Sequence, residues 1–158
     1  MDESAILAAK LQADGERLAS FLAGLAESEW STEVYTEGTT WTVRSILAHL
    51  MTAERAFVRL FDQIRLGGTG VSDDFSIDRY NASQQEKTQD RGRMDLLEEY
   101  KTARRQMVGL VGGLSNQDLE KQGRHPFLGV TTLREMVKMI YIHNQTHYRD
   151  VRRALRSE

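Results

Sequence analysis

The chain has 158 residues, 40% of them hydrophobic, enough to bury one core without staples, so a single domain over residues 1–158 is expected. It contains no cysteine, which excludes a disulfide framework, a thiolate metal cluster and a cysteine nucleophile; any thiol in its chemistry must come from a small molecule. A formal charge of −2, from 21 basic and 23 acidic side chains, does not supply the positive surface that tight nucleic-acid binding demands.

The opening MDESAILAAKLQADGERLASF is acidic and broken by charges, unlike a signal peptide. No stretch approaches the roughly 20 apolar residues of a membrane span. A cytoplasmic protein is therefore expected. From about Glu3 to Ala26, Leu7, Leu11, Leu18, Phe21, Leu22 and Leu25 recur at helical spacing and predict an amphipathic helix. Gly15 weakens its middle by up to about 1 kcal/mol relative to alanine. Glu27 to Thr42 reads as a polar loop around Gly38, with at most a short extended piece near Val34 and nothing that looks catalytic.

The second helix is expected from Thr42, a capping residue, to about Leu66. Val43, Ile46, Leu47, Leu50, Phe57, Leu60, Phe61 and Ile64 share one broad face. His49 lies at its edge, roughly 90° round from the centre. Ala53 and Ala56 on the same side leave room for a cavity, although a lone histidine there is ordinarily an interface residue.

Residues 67–92 turn to Gly, Ser, Asp, Asn and Gln and read as a crossover linker with a flexible start, DFSIDRYNASQQ being the part expected to hold a helical turn. GGTG lacks the lysine of a phosphate-binding loop and follows no strand pattern, so no nucleotide site is expected. A third helix follows from about Met94 to Leu114. Arg104 falls on its apolar face, as Glu54 does in the second helix; a buried ion pair and a snorkelling arginine both fit.

The next stretch, SNQDLEKQGRHPFLGVT, reads as a loop with His125 beside the only proline. Such a histidine is usually solvated, the alternative being that the loop overhangs a site. The last helix opens with a capping box, Thr132-x-x-Glu135, and carries Leu133, Met136, Val137, Ile140, Asn144, His147, Val151 and Leu155 on one arc. Arg149, Arg152, Arg153 and Arg156 at its end suit the helix dipole and solvation.

Within that helix His143 and His147 are one turn apart on one face, so both imidazoles reach a common point. A metal ion and a pair of packed, hydrogen-bonded rings both satisfy this pair. Four long amphipathic segments predict an all-α four-helix bundle, whose metal sites are built from inward side chains on facing helices. His49 lies about 10 Å from the start of the second helix and His147 about 12 Å from the end of the last. If these helices run antiparallel the residues sit at one level; if parallel they are more than about 10 Å out of step. An up-down-down-up order, with the long crossover between helices 2 and 3, meets that requirement. His49, His143 and His147 plus water would form an open coordination sphere of the kind that suits catalysis. Imidazole sites take zinc, nickel, iron or copper. Asp150 and Asn144 are candidates to orient ring nitrogens, with plain solvation the competing reading for Asp150.

WTVRSILAHL, with Trp41 eight residues before His49, the paired histidines of HNQTHYRDVRRAL, and the linker IDRYNASQQEKT together resemble the DinB family, which is related to the YfiT-like proteins. The resemblance implies an up-down-down-up bundle, one divalent transition metal (zinc or nickel first, iron next) on His49, His143 and His147, and frequent homodimers. It further implies an enzyme acting on a small-molecule substrate with a low-molecular-weight thiol as cosubstrate, a transferase or isomerase in which the metal holds the thiolate. The alternatives are a hydrolase that activates water, for which no carboxylate at a telling spacing marks a general base, and a non-enzymatic binding or stress-response protein.

Overall fold

The computed structural model of the chain describes residues 2–157. The first helix, α1 (Glu3–Ala23), starts where Asp2 caps the backbone N–H of Ala5 at 2.9 Å, and ends at Gly24. A 3-10 turn over Glu27–Ser31 buries Trp30. The polar stretch behind it folds into a small hairpin of β1 (Glu33–Tyr35) and β2 (Trp41–Thr42), turning at Gly38 with φ 73°. Thr42 then caps α2 (Val43–Arg65), its hydroxyl accepting from Ser45 N–H.

The crossover is more structured than its composition predicts. It contains a 12-residue helix, α3 (Ile77–Thr88), capped by Ser76. Its residues are mostly polar, so periodicity reveals little; tertiary hydrogen bonds hold it instead, from Gln85 to the Ser45 carbonyl (2.8 Å) and from Arg44 to the Thr88 carbonyl (2.5 Å). The start of the crossover is also pinned. Arg124 N–H donates to the Thr69 carbonyl at 2.8 Å and Val71 N–H to the Arg124 carbonyl at 2.9 Å. Gly70, between them, has φ 94°, and a Cβ there would stand 2.2 Å from the Arg124 nitrogen, so glycine alone permits the approach.

The third long helix, α4 (Arg93–Gly112), leads to a short helix α5 (Asn116–Glu120) and a second hairpin, β3 (Gln122–His125) paired antiparallel with β4 (Gly129–Thr132). This replaces the expected loop; its strands are four residues each, too short for alternation to register. The last helix, α6 (Leu133–Arg156), is capped by Thr132, which accepts from Glu135 N–H. The Glu135 side chain lies 3.6 Å from Lys138, within its own helix.

The four long helices α1, α2, α4 and α6 form a bundle with two core clusters. One joins Leu18 and Leu22 of α1, Val43 to Met51 of α2, Leu96 to Tyr100 of α4 and Val151 of α6. The other joins Ala8 and Leu11, Leu60 to Ile64, Met107 and Val111, and Leu133 to Ile140. Thus α2 and α4 run from the first cluster to the second, and α1 and α6 run the opposite way.

Between the clusters lies a buried polar layer. Arg104 donates to both carboxylate oxygens of Glu54 (2.6 and 3.1 Å), to Asp14 (3.0 Å) and to the Leu11 carbonyl (2.8 Å). The ion pair therefore forms, and the arginine does not snorkel: it is 4% exposed. Gly15 makes room for it, since a Cβ there would lie 2.6 Å from Arg104 Cγ. Asn144 joins the same layer, donating to Asp14 (2.9 Å) and to the Tyr100 hydroxyl (3.0 Å). Its amide is committed to this layer.

Candidate metal centre

The antiparallel pairing of α2 and α6 sets His49 opposite the turn that carries His143 and His147. The Nε2 of His143 lies 3.0 Å from that of His49 and 3.1 Å from that of His147, and one ring nitrogen from each residue falls within a single cluster. Burial presses all three rings toward the neutral form: His143 and His147 titrate near 4 and His49 near 2, instead of 6.5. For His49 and His147 the neighbouring imidazoles add to the effect.

The protons on this cluster are constrained from outside. Tyr35 donates its hydroxyl proton to Asp150 Oδ2 at 2.6 Å and lies 2.9 Å from His147 Nδ1. Having given its only proton to the carboxylate, the hydroxyl accepts from Nδ1–H, so the neutral His147 ring points an unprotonated Nε2 at the cluster. His143 Nε2 then carries at most one proton for two short contacts. Protein hydrogen bonds alone satisfy that poorly, whereas three ring nitrogens all within 4.8 Å of one another match three imidazoles at roughly 2.0–2.1 Å from one shared ion. The donor set fits a divalent transition metal.

Trp41 packs on His49, ring centroids 5.0 Å apart, and Asn81 of α3 lines the same cavity as His49. The segment that composition marked as a loop thus supplies the outer supports, and the linker helix borders the same cavity. Tyr35 escapes a sequence reading because it lies 112 positions from His147. The aromatic pair Tyr35 and Trp41 flanking the Gly38 turn is the local signal that marks it.

The triad forms part of the wall of a cavity of about 580 Å³. Its other walls include Phe57, Leu60, Phe75, Met139 and Ile142, and no Asp, Glu, Lys or Arg lines it among the described residues. His125 lines the same cavity and is buried, not solvated. Its ring stacks on Phe57, centroids 5.1 Å apart and planes at 14°, and its Nδ1 accepts from the N–H groups of Phe127 and Leu128, each at 3.0 Å.

A family model described as the DinB superfamily matches residues 10–151. The chain belongs to the DinB superfamily. No curated protein sequence matches it. Among solved structures, the DinB-like bundle of this chain is similar to YfiT from Bacillus subtilis, described as a probable metal-dependent hydrolase with an unusual four-helix bundle topology. The TM-score is 0.79 at 17% identity, covering 99% of this chain and 89% of YfiT. At that identity the likeness is one of fold. No helix among the described residues of this DinB-superfamily chain is long and apolar enough to cross a membrane.

Proposed function

We propose that His49, His143 and His147 bind one divalent ion, zinc or nickel, and that the protein is a hydrolase acting on a neutral, apolar small molecule. The observation that carries this reading is the position of three neutral Nε2 atoms on the wall of a cavity without charged side chains. The volume falls in the range of small-molecule sites, and YfiT, similar in fold, is described as a probable metal-dependent hydrolase.

A divalent ion held there supplies Lewis acidity, polarising a carbonyl and acidifying water toward neutrality. The protein's own contribution is orientation and exclusion. Tyr35 and Asp150 hold the His147 tautomer, Trp41 packs on His49, and the apolar walls select an uncharged acyl or aromatic group.

The thiol reading uses the same ion, with a thiolate in place of water, and homodimerisation is compatible with either. A thiol bearing carboxylates finds no cation in the cavity wall, which favours hydrolysis. The test is cleavage of p-nitrophenyl hexanoate by zinc-loaded full-length protein, with and without added thiol. Zinc-dependent cleavage that needs no thiol and is lost in His49→Ala supports the hydrolase. Saturable dependence on the thiol overturns it in favour of transfer.

A further inference from the structure

His125 lines the cavity in an arrangement that the triad does not explain. Its Nδ1 accepts two backbone N–H groups, so that nitrogen carries no proton, and the neutral ring must hold its hydrogen on Nε2. Turning the ring over would set a C–H against both amides, so hydrogen bonding fixes the orientation as well as the tautomer. Nε2 itself is buried and has no partner among the described residues. Buried donors without partners are rare in native proteins. This one belongs to a ring that lines the ligand cavity together with the three triad imidazoles.

The ring is also held rigidly. It ends β3, stacks on Phe57, and follows Arg124, whose backbone is clamped between Thr69 and Val71. A donor fixed before the ligand arrives loses little freedom on binding. An uncharged donor also tolerates a cation at the nearby triad, where an imidazolium would be repelled.

Resting on the reading of the cavity as a site for neutral apolar molecules, we propose that His125 Nε2–H donates a hydrogen bond to the ligand's carbonyl oxygen, holding that group between the β3–β4 hairpin and the histidine triad. The ligand class follows: an uncharged ester or amide with an apolar tail, its oxygen toward His125 and its tail along Phe57 and Ile142. His125 is a binding and positioning donor and not a fourth metal ligand.

The test titrates octanamide into the full-length chain, metal-free and zinc-loaded, and follows imidazole nitrogens by NMR. The His125 ring should show the Nε2–H tautomer, and its Nε2–H resonance should shift saturably with octanamide. His125→Phe keeps the stacking ring but removes both the Nε2 donor and the Nδ1 acceptor of the Phe127 and Leu128 N–H groups, so its thermal unfolding is compared with that of the parent. It should bind zinc as the parent does and octanamide up to about tenfold more weakly. His125→Gln, which offers an N–H at similar reach, should recover part of the loss. Octanamide that does not bind, or that binds His125→Phe as tightly as the parent while the His125 resonance stays fixed, overturns the proposal. Octanamide bound through His125 by a zinc-loaded protein that cleaves no ester overturns the hydrolase reading alone.

Discussion

The Tyr35 hydroxyl and His147 Nδ1 stand 2.9 Å apart, and the hydroxyl is the acceptor, because its proton lies on the 2.6 Å bond to Asp150. A carboxylate one turn along α6 thus sets the tautomer of a candidate metal-ligating imidazole through a tyrosine from a hairpin more than a hundred residues away. Burial and the Asp150 hydrogen bond both raise the Tyr35 pKa, so the phenol stays protonated across the physiological range.

Tyr35→Phe removes this link and keeps the edge-on ring contact with His147. It should weaken zinc binding by about 10–100-fold, the usual effect of losing such an outer partner, without unfolding the chain. Competition against a chelator measures it. Unchanged affinity would mean that the tyrosine does not fix the ring.

Burial depresses the pKa of His125, His143 and His147 to about 4 and that of His49 to about 2. Between about pH 6.5 and 4 the unfolded chain binds protons that the folded chain excludes, so stability rises with pH. The contribution is complete above 6.5 and lost as pH falls toward 4, at up to about 1.4 kcal/mol per group per pH unit. Urea titrations of metal-free protein across this window check the sign; a flat profile contradicts it.

Arg104 faces two buried carboxylates, Glu54 and Asp14. Burial raises the Glu54 pKa and the arginine opposes the rise, so Arg104→Met strands a poorly solvated acid pair and should cost about 3–5 kcal/mol. Gly15→Ala should also destabilise. Its helix-propensity gain of about 1 kcal/mol is outweighed by a Cβ 2.6 Å from Arg104 Cγ, near the root of a side chain locked at its far end. Denaturant midpoints decide both; a more stable Gly15→Ala protein would contradict the packing described.

Ala56 is a small residue in the cavity wall. Ala56→Trp should raise KM for p-nitrophenyl hexanoate at least tenfold while zinc content stays at the parental level, because bulk there occupies ligand space and leaves the three imidazoles in place. Parental kinetics would place the substrate elsewhere.

The long helices were legible because each carries a continuous apolar face at the helical period, and their caps at Thr42 and Thr132 sit where residue type says they should. The triad was legible because two of its members share one helix face and the third has to match their level. Helix α3 was legible only as a helical turn within DFSIDRYNASQQ, and the β3–β4 hairpin was not, since tertiary hydrogen bonds hold them and no pattern of their own does. The same holds for the supports of the site. Tyr35, Trp41 and His125 come from segments of loop-like composition and acquire their roles only when the bundle folds them over the cavity. Asn144 looked like a partner for the histidines by sequence proximity, yet its amide faces Asp14 and Tyr100 in the buried polar layer.

The most direct measurement is metal content by elemental analysis of full-length protein purified without a nickel column, beside His49→Ala. Close to one divalent ion per chain is expected in the parent and almost none in a folded His49→Ala protein. A folded parent that carries no ion and takes up neither zinc nor nickel when offered them would contradict it.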